Sequence, residues 1–320
     1  MPIHAEVAAR LAALGEVDVN PRPEPWSPEE LRDRCAEADA LMAFMTERVD
    51  AALLDAAPRL RVVAGALKGP DNIDLAACAA RGVAVTVEPD LLTAPTAELT
   101  VGLAIAALRH LTAGDRLVRG GGFRGWRAAL YGGTLDGATV GLVGCGAVGR
   151  AVLRRLAGFD CRLLFADPHV DGCEGAARCG RDKILERSDV VILAAPLRPD
   201  TLHVVDADAL ARLRPGALLV NPARGSLVDE AAVAAALQDG RLGGYAADVF
   251  EMEDRSRPDA PLGVHPGLLN APNTVLTPHL GSAVARVRAA IEMSAAESIA
   301  AVLSGAAPPP AKRPASVGSL

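Results

Sequence analysis

The stretch Thr139-Val140-Gly141-Leu142-Val143-Gly144-Cys145-Gly146-Ala147-Val148-Gly149 decides the fold. Five residues without a charge read as a strand buried on both faces, and a GxGxxG pattern follows with no spacer. Arg150 to Leu156 then continues as an amphipathic helix. In that context Gly144 permits a tight turn, Gly146 lets the backbone approach a pyrophosphate, and Gly149 allows the helix to pack closely on the strand. The N–H groups that open the helix, those of Ala147 and Val148 among them, and the helix dipole attract phosphate. Asp167 lies 18 residues beyond Gly149 and ends the next apolar run. A carboxylate there accepts hydrogen bonds from ribose hydroxyls and repels a 2′-phosphate, so the pattern reads as NAD over NADP, a preference that His169 softens.

Outward from the loop, the pattern is strand and helix in alternation. Strands are expected at Leu41–Met45, Arg61–Ala66 and Val83–Val87 before it, and at Cys161–Ala166, Val190–Ala195, Ala217–Asn221, Gly244–Val249 and Thr274–Leu276 after it. Such alternation indicates an α/β class with a doubly wound parallel sheet. Ser27-Pro28-Glu29-Glu30 has the N-cap, first-turn proline and acids that start a helix, expected over 27–38. Leu92–Pro95 reads as a crossing point. One long helix is expected from Thr96 to about Val118, ended by Gly120-Gly121-Gly122 and followed by a loop with Trp126 and Tyr131. A helix at Asp229–Asp239 and a last helix at Ser282–Leu303 complete the pattern, and the proline-rich tail from Pro308 is expected to be disordered.

Bulk properties exclude several function classes. The chain has 320 residues, 50% hydrophobic and 22% charged, which suits two soluble domains of ordinary size. A formal net charge of −6 argues against nucleic acid or an anionic membrane as a general partner. The six cysteines form no CxxC pair and no Cys/His cluster with zinc spacing, so no metal site is expected and reduced thiols of a cytoplasmic protein are. No signal peptide is visible at the N-terminus, and the longest apolar run, Leu99–Leu108, is too short to span a bilayer.

Three polar clusters follow expected strand ends: Asn221–Asp229 with Arg224, Gly244–Glu253 with Asp248 and Glu253, and Thr277–Ser282 with His279. Open α/β sheets bind ligands at such ends. A guanidinium holds an anion by paired hydrogen bonds, an imidazole exchanges a proton near neutral pH, and a carboxylate behind the ring orients it. With these clusters, residues 30–303 resemble the D-2-hydroxyacid dehydrogenase family. The resemblance implies that Arg224, Glu253 and His279 are catalytic and that Asp248 contacts the nicotinamide carboxamide. It also implies an NAD-binding Rossmann domain at 93–282, inserted in a smaller flavodoxin-like substrate domain built from 1–92 and 283–320, with 304–320 as a tail. The active site would lie in the cleft between them, and two copies would pair through the long helix at 96–118.

Met42–Met45, Ala66–Gly69, Asp90–Leu99, Gly244–Asp254 and Thr277–Arg288 resemble more closely the phosphonate (phosphite) dehydrogenase branch, whose reaction turns phosphite, NAD and water into phosphate and NADH. Lys68 adds a cation at the expected substrate turn, where Lys68, the Gly69 N–H and Arg224 would balance a doubly charged oxyanion. The resemblance further places Arg288, Met45, Ser282, Trp126 and Tyr131 at the substrate, the two aromatics from a partner subunit. His279 or Arg288 would activate water. The alternatives are a reductase of glyoxylate or hydroxypyruvate, with Lys68 incidental, and an NAD-sensing corepressor-like binding protein.

Overall fold

The computed structural model describes residues 2–255, 257, 259–308, 312 and 314. The chain divides into two compact units. One comprises Met1–Leu92, Arg255–Pro258 and Ser282–Leu320, the other Thr93–Asp254 and Asp259–Gly281.

In the first unit, β1 (Ala40–Ala43), β2 (Val62–Gly65) and β3 (Ala84–Thr86) form a parallel sheet in that order. Helices α1 (Ala5–Ala12), α2 (Pro28–Cys35), α3 (Ala51–Ala56) and α4 (Leu75–Ala80) and the C-terminal helix Ala285–Leu303 cover it. Side chains of β2 alternate between two cores: Val63 packs with Leu31, Leu53 and Cys78, whereas Val62 and Ala64 pack with Val7, Ile291 and Ala295. That period of two is the strand geometry itself. Helix α2 begins as its sequence requires, with the Ser27 hydroxyl accepting from the Glu30 N–H and the Glu30 carboxylate accepting from the Ser27 N–H.

The second unit holds α5 (Thr93–Leu108), α6 (Leu111–Arg119), α7 (Ala147–Leu156), α8 (Arg181–Arg187), α9 (Ala207–Arg212), α10 (Glu230–Gln238) and α11 (Pro266–Asn270). Its strands are β4 (Thr139–Val143), β5 (Arg162–Ala166), β6 (Ala177–Arg178), β7 (Val190–Leu193), β8 (Ala217–Asn221), β9 (Leu242–Ala247) and β10 (Thr274–Leu276). They form one parallel sheet in the order β10-β9-β8-β7-β4-β5-β6. Sequence order reverses between β4 and β7, which is the switch point of a doubly wound Rossmann sheet. Val140, Leu142, Val190 and Ile192 belong to the core on one face, and Val143, Val191 and Leu193 to the core on the other. Burial on both faces explains why these strands read as unbroken apolar runs.

Two expectations are corrected here. The long helix is two helices, because His110 takes a left-handed conformation at φ 50°. The returning chain causes the break: the Gly133 N–H donates to the Leu108 carbonyl at 2.9 Å, and a Cβ on Gly132 would stand 1.9 Å from that oxygen. Helix α5 buries Ala97, Val101, Leu103, Ala104 and Ala107 in its own unit, whereas α6 buries no residue. The tail expected to be disordered is partly placed. The Lys312 carbonyl accepts from the Val87 N–H at 2.7 Å; 309–311, 313 and 315–320 lie outside the described residues. No helix among the described residues is long and apolar enough to cross a membrane.

Candidate active site

The glycine loop leaves β4 at the switch point. Gly144 sits at φ 97°, and a Cβ there would come within 2.6 Å of the Ala194 backbone. At Gly149 a Cβ would lie 2.5 Å from the Gly144 carbonyl oxygen, so helix and loop touch backbone to backbone. Gly146 is different: a Cβ there meets nothing within 4 Å. It is the N-cap of α7 and gives no side-chain cap, so the first N–H groups of the helix, at Ala147 and Val148, are left to a ligand. Asp167 follows β5 directly. One of its carboxylate oxygens accepts from the Cys145 N–H at 2.7 Å and the other from the His169 N–H at 2.8 Å. Two wedged glycines, an open one between them and a carboxylate tied to the loop fit a dinucleotide.

The polar clusters are built by the ends of β8, β9 and β10. Beyond β8, the Asn221 amide donates to the Arg224 carbonyl at 2.8 Å and accepts from the Ala223 N–H at 3.1 Å, which fixes the turn that carries the guanidinium. Arg224 Nη1 also donates to the Ala223 carbonyl at 2.8 Å. Gly225 follows because a Cβ there would come 1.9 Å from the Phe250 carbonyl carbon. That contact seats the Arg224 turn on the segment leading to Glu253.

Glu253 ends a single 3-10 turn, Glu251–Glu253. Its Oε1 accepts from the Phe250 N–H at 2.7 Å, and its Oε2 lies 2.5 Å from His279 Nδ1. Both side chains are about one-third exposed, at 33% for His279 and 31% for Glu253. His279 Nε2 has no hydrogen-bond partner among the described residues, so this nitrogen could exchange a proton with a ligand. His279 itself is left-handed, at φ 56°, an uncommon conformation for a residue with a Cβ.

Asp248 holds that conformation, a role the sequence reading missed. It is fully buried; Oδ1 accepts from Thr277 Oγ1 at 2.6 Å and the Leu280 N–H at 2.7 Å, and Oδ2 from the Gly281 N–H at 2.8 Å. Its backbone carbonyl accepts from the His279 N–H at 2.8 Å. A buried acid among polar turn residues was the available signal, but sequence periodicity carries no information on which N–H groups it meets. Glu230, likewise buried, accepts from the Glu251 N–H at 2.9 Å and the His265 N–H at 3.0 Å. Desolvation raises its pKa above the ordinary carboxylate value.

The remaining expected substrate residues fall into two groups. In the first unit, Met45 follows Phe44, and the Arg288 guanidinium lies 5.6 Å from the Phe44 ring centroid. Arg288 Nη1 donates to the Ala66 carbonyl at 3.3 Å and to Ser282 Oγ at 3.4 Å. Lys68, two residues beyond Ala66 and just before Gly69, donates to the Pro89 carbonyl at 2.6 Å. Met45, Lys68, Gly69, Ser282 and Arg288 are thus gathered around the ends of β1 and β2. Burial lowers the Arg288 pKa from its ordinary value. In the second unit, Trp126 and Tyr131 are 87% and 78% exposed and are not brought to His279. Among the described residues no cluster of three or more His, Cys, Asp or Glu could hold a metal.

Residues 101–281 match the family model described as "D-isomer specific 2-hydroxyacid dehydrogenase, NAD binding domain". The chain is 36% identical over 303 residues to a glyoxylate reductase of Thermococcus onnurineus, covering 92% of this chain and 88% of that one. It is 37% identical over 290 residues to a glyoxylate reductase of Pyrococcus furiosus, covering 88% and 84%. Among solved structures, the TT0316 protein from Thermus thermophilus superposes with a TM-score of 0.88 at 35% identity, covering 96% of both chains.

Proposed function

Because the chain belongs to the D-isomer specific 2-hydroxyacid dehydrogenase family, we propose that this NAD-dependent oxidoreductase interconverts a small 2-keto acid, glyoxylate foremost, with its 2-hydroxy acid. The single observation that carries the chemistry is the His279–Glu253 pair, with Nε2 of the ring left open, on strand ends next to that of Arg224. The names of the relatives favour a keto acid over phosphite as substrate.

When bound, the nicotinamide supplies or takes up the hydride, and the chain's own residues do the rest. Gly144, Gly146, Ala147, Val148, Gly149 and Asp167 would hold the dinucleotide, whereas Asp248, expected at its carboxamide end, is fully buried on Thr277, Leu280 and Gly281 and would act there only through the turn it shapes. The Arg224 guanidinium pairs with the substrate carboxylate through parallel hydrogen bonds. His279 Nε2 gives a proton to the substrate's 2-oxygen in reduction and takes it back in oxidation. Glu253 holds the ring in the tautomer with the proton on Nδ1 and stabilises the imidazolium.

Substrate contacts by Met45, Lys68, Gly69, Ser282 and Arg288 are part of the proposal, and each is tested by its own variant. Lys68→Ala raises KM for glyoxylate and leaves kcat nearly unchanged if the lysine meets the carboxylate; an unchanged KM removes Lys68 from the site. Two copies are proposed to pair through the exposed apolar surface of α6 and the segment after it, with Trp126 and Tyr131 on the contact.

Three assays decide the reaction. NADH oxidation with glyoxylate is the expected result. NADH formation from phosphite and NAD would restore the phosphite reading that Lys68 and Arg288 suggest. Turnover with neither, in protein that binds NAD, would point to a nucleotide-sensing binding protein. His279→Ala is expected to lower kcat on the order of 10²- to 10⁴-fold with NADH binding kept, and full activity in it would sink the mechanism.

A further inference from the structure

Lys312 belongs to the proline-rich tail, yet it is bound through both its backbone and its side chain. Its carbonyl accepts from the Val87 N–H at 2.7 Å, just beyond the end of β3. Its ammonium donates to the Ser294 hydroxyl at 2.5 Å and to the Ser294 carbonyl at 3.2 Å, on the C-terminal helix. The Ser294 hydroxyl accepts there and donates its own proton to Glu88 Oε2 at 2.5 Å. Glu88 is only 6% exposed, and a carboxylate so buried needs partners. Its Oε1 accepts from the N–H groups of Asp90 and Leu91 at 3.3 and 3.4 Å. A line of charge-assisted hydrogen bonds thus runs from the tail ammonium, through a serine, to a buried carboxylate and the two residues after Pro89.

Lys68 is anchored at the far end of that line. The Glu88 N–H donates to the Leu67 carbonyl at 2.8 Å, and the Pro89 carbonyl accepts from Lys68 Nζ at 2.6 Å. Residues 88–91 therefore hold the Leu67-Lys68 turn by its backbone and by its side chain. A lysine ammonium sits on a flexible stem, so its position follows that of the carbonyl it is bonded to.

We propose that Lys312 is a positioning residue for substrate binding: through Ser294 and Glu88 it fixes residues 88–91, so that Lys68 presents its ammonium to the carboxylate of a small 2-keto acid. The inference rests on the reading of Lys68 as a substrate contact, and it gives the tail a part in substrate affinity. Without the Lys312 ammonium, the Ser294 hydroxyl is free to turn its proton to the carbonyl of Ala290, four residues back on its own helix. Glu88 then loses a donor, and residues 88–91 lose their tie to the helix. Lys68 becomes less ordered before substrate arrives, and ordering it on binding costs affinity. Lys312 touches no reacting atom, so the loss falls on KM and not on kcat.

The test uses the full-length protein with glyoxylate and NADH, and reads KM, kcat and amide hydrogen exchange over residues 66–69 and 87–91. Lys312→Ala is expected to raise KM for glyoxylate about three- to tenfold, with kcat and NADH affinity kept, and to speed exchange in both stretches. Ser294→Ala cuts the same line at its middle and is expected to give the same pattern. In a Lys68→Ala background, Lys312→Ala is expected to raise KM no further, because its effect passes through that lysine. Unchanged exchange or unchanged KM in Lys312→Ala, or a full further rise of KM in the Lys68→Ala background, overturns the proposal and leaves Lys68 as a substrate contact. An unchanged KM in Lys68→Ala itself removes that lysine from the site, and the role of Lys312 with it, even where exchange quickens. Wild-type protein without glyoxylate turnover would remove the reaction and this inference together.

Discussion

At the residue scale, one carboxylate faces the ring proposed to exchange the substrate proton. Glu253 uses Oε1 on the Phe250 N–H and Oε2 on His279 Nδ1, so both oxygens act as acceptors. Glu253→Gln replaces one acceptor with an NH₂ group. If the carboxamide oxygen stays on Phe250, the NH₂ faces Nδ1, which must then accept, and the ring proton moves to Nε2. A neutral ring in that tautomer cannot take the substrate proton. Turnover should fall on the order of 10²-fold or more with glycolate and NAD, while NAD affinity is kept; a variant with wild-type kcat would show that Glu253 does not set the tautomer. Asp248→Asn acts differently, because that carboxylate shapes the turn under His279. Losing one buried acceptor costs about 1–3 kcal/mol, read as a lower midpoint in urea, with no loss of stability as the opposing result. Sequence made the candidate residues Arg224, Glu253 and His279 legible, since each follows an apolar run. It could not show Asp248 as a structural acid, because its partners are backbone N–H groups that any residue supplies.

At the element scale, legibility followed burial. Strands β4, β8 and β10 begin and end where their apolar runs do, since a strand buried on both faces has no polar interruption to blur its ends. Helices α5 and α6 were read as one, because no glycine or proline marks Arg109-His110 as a break, which comes instead from a distant glycine pair at the Leu108 carbonyl. Helix α10 shows what an element's first residue can do for a site. Glu230 receives the N–H groups of Glu251 and His265 while buried near the Glu251 carboxylate and the His265 ring, and desolvation raises its pKa. A raised carboxylate pKa favours folding of the protonated form. Its contribution is complete below the ordinary carboxylate pKa and is lost as pH rises through the folded value. Wild-type stability should therefore fall relative to Glu230→Gln as pH rises from acid through that range. Denaturation midpoints of the two proteins across pH measure it, and a pH-independent difference would mean that Glu230 titrates alike folded and unfolded.

At the scale of the whole molecule, the two units differ in how their chains are assembled. The first draws on both ends of the sequence, and its sheet packs α1 and the C-terminal helix into one core. The second is nearly continuous from Thr93 to Gly281, broken only by Arg255–Pro258, and its seven strands have apolar cores on both faces. A unit with its own complete core can fold alone. A fragment of residues 93–281 should then unfold cooperatively and bind NAD. Calorimetry and NAD titration measure these two properties, and a fragment without a cooperative transition would show that this unit does not fold alone. The fragment also bears on pairing. It keeps α6 and the segment after it, where Leu111, Val118, Phe123, Trp126 and Tyr131 are all more than half exposed. Under the proposed pairing a second copy would cover these side chains, a closed pair of identical copies being the commonest assembly. Fragment and full-length protein should both sediment as dimers, and Trp126→Asp should shift both toward monomer. A full-length dimer with a monomeric fragment would move the interface to the first unit.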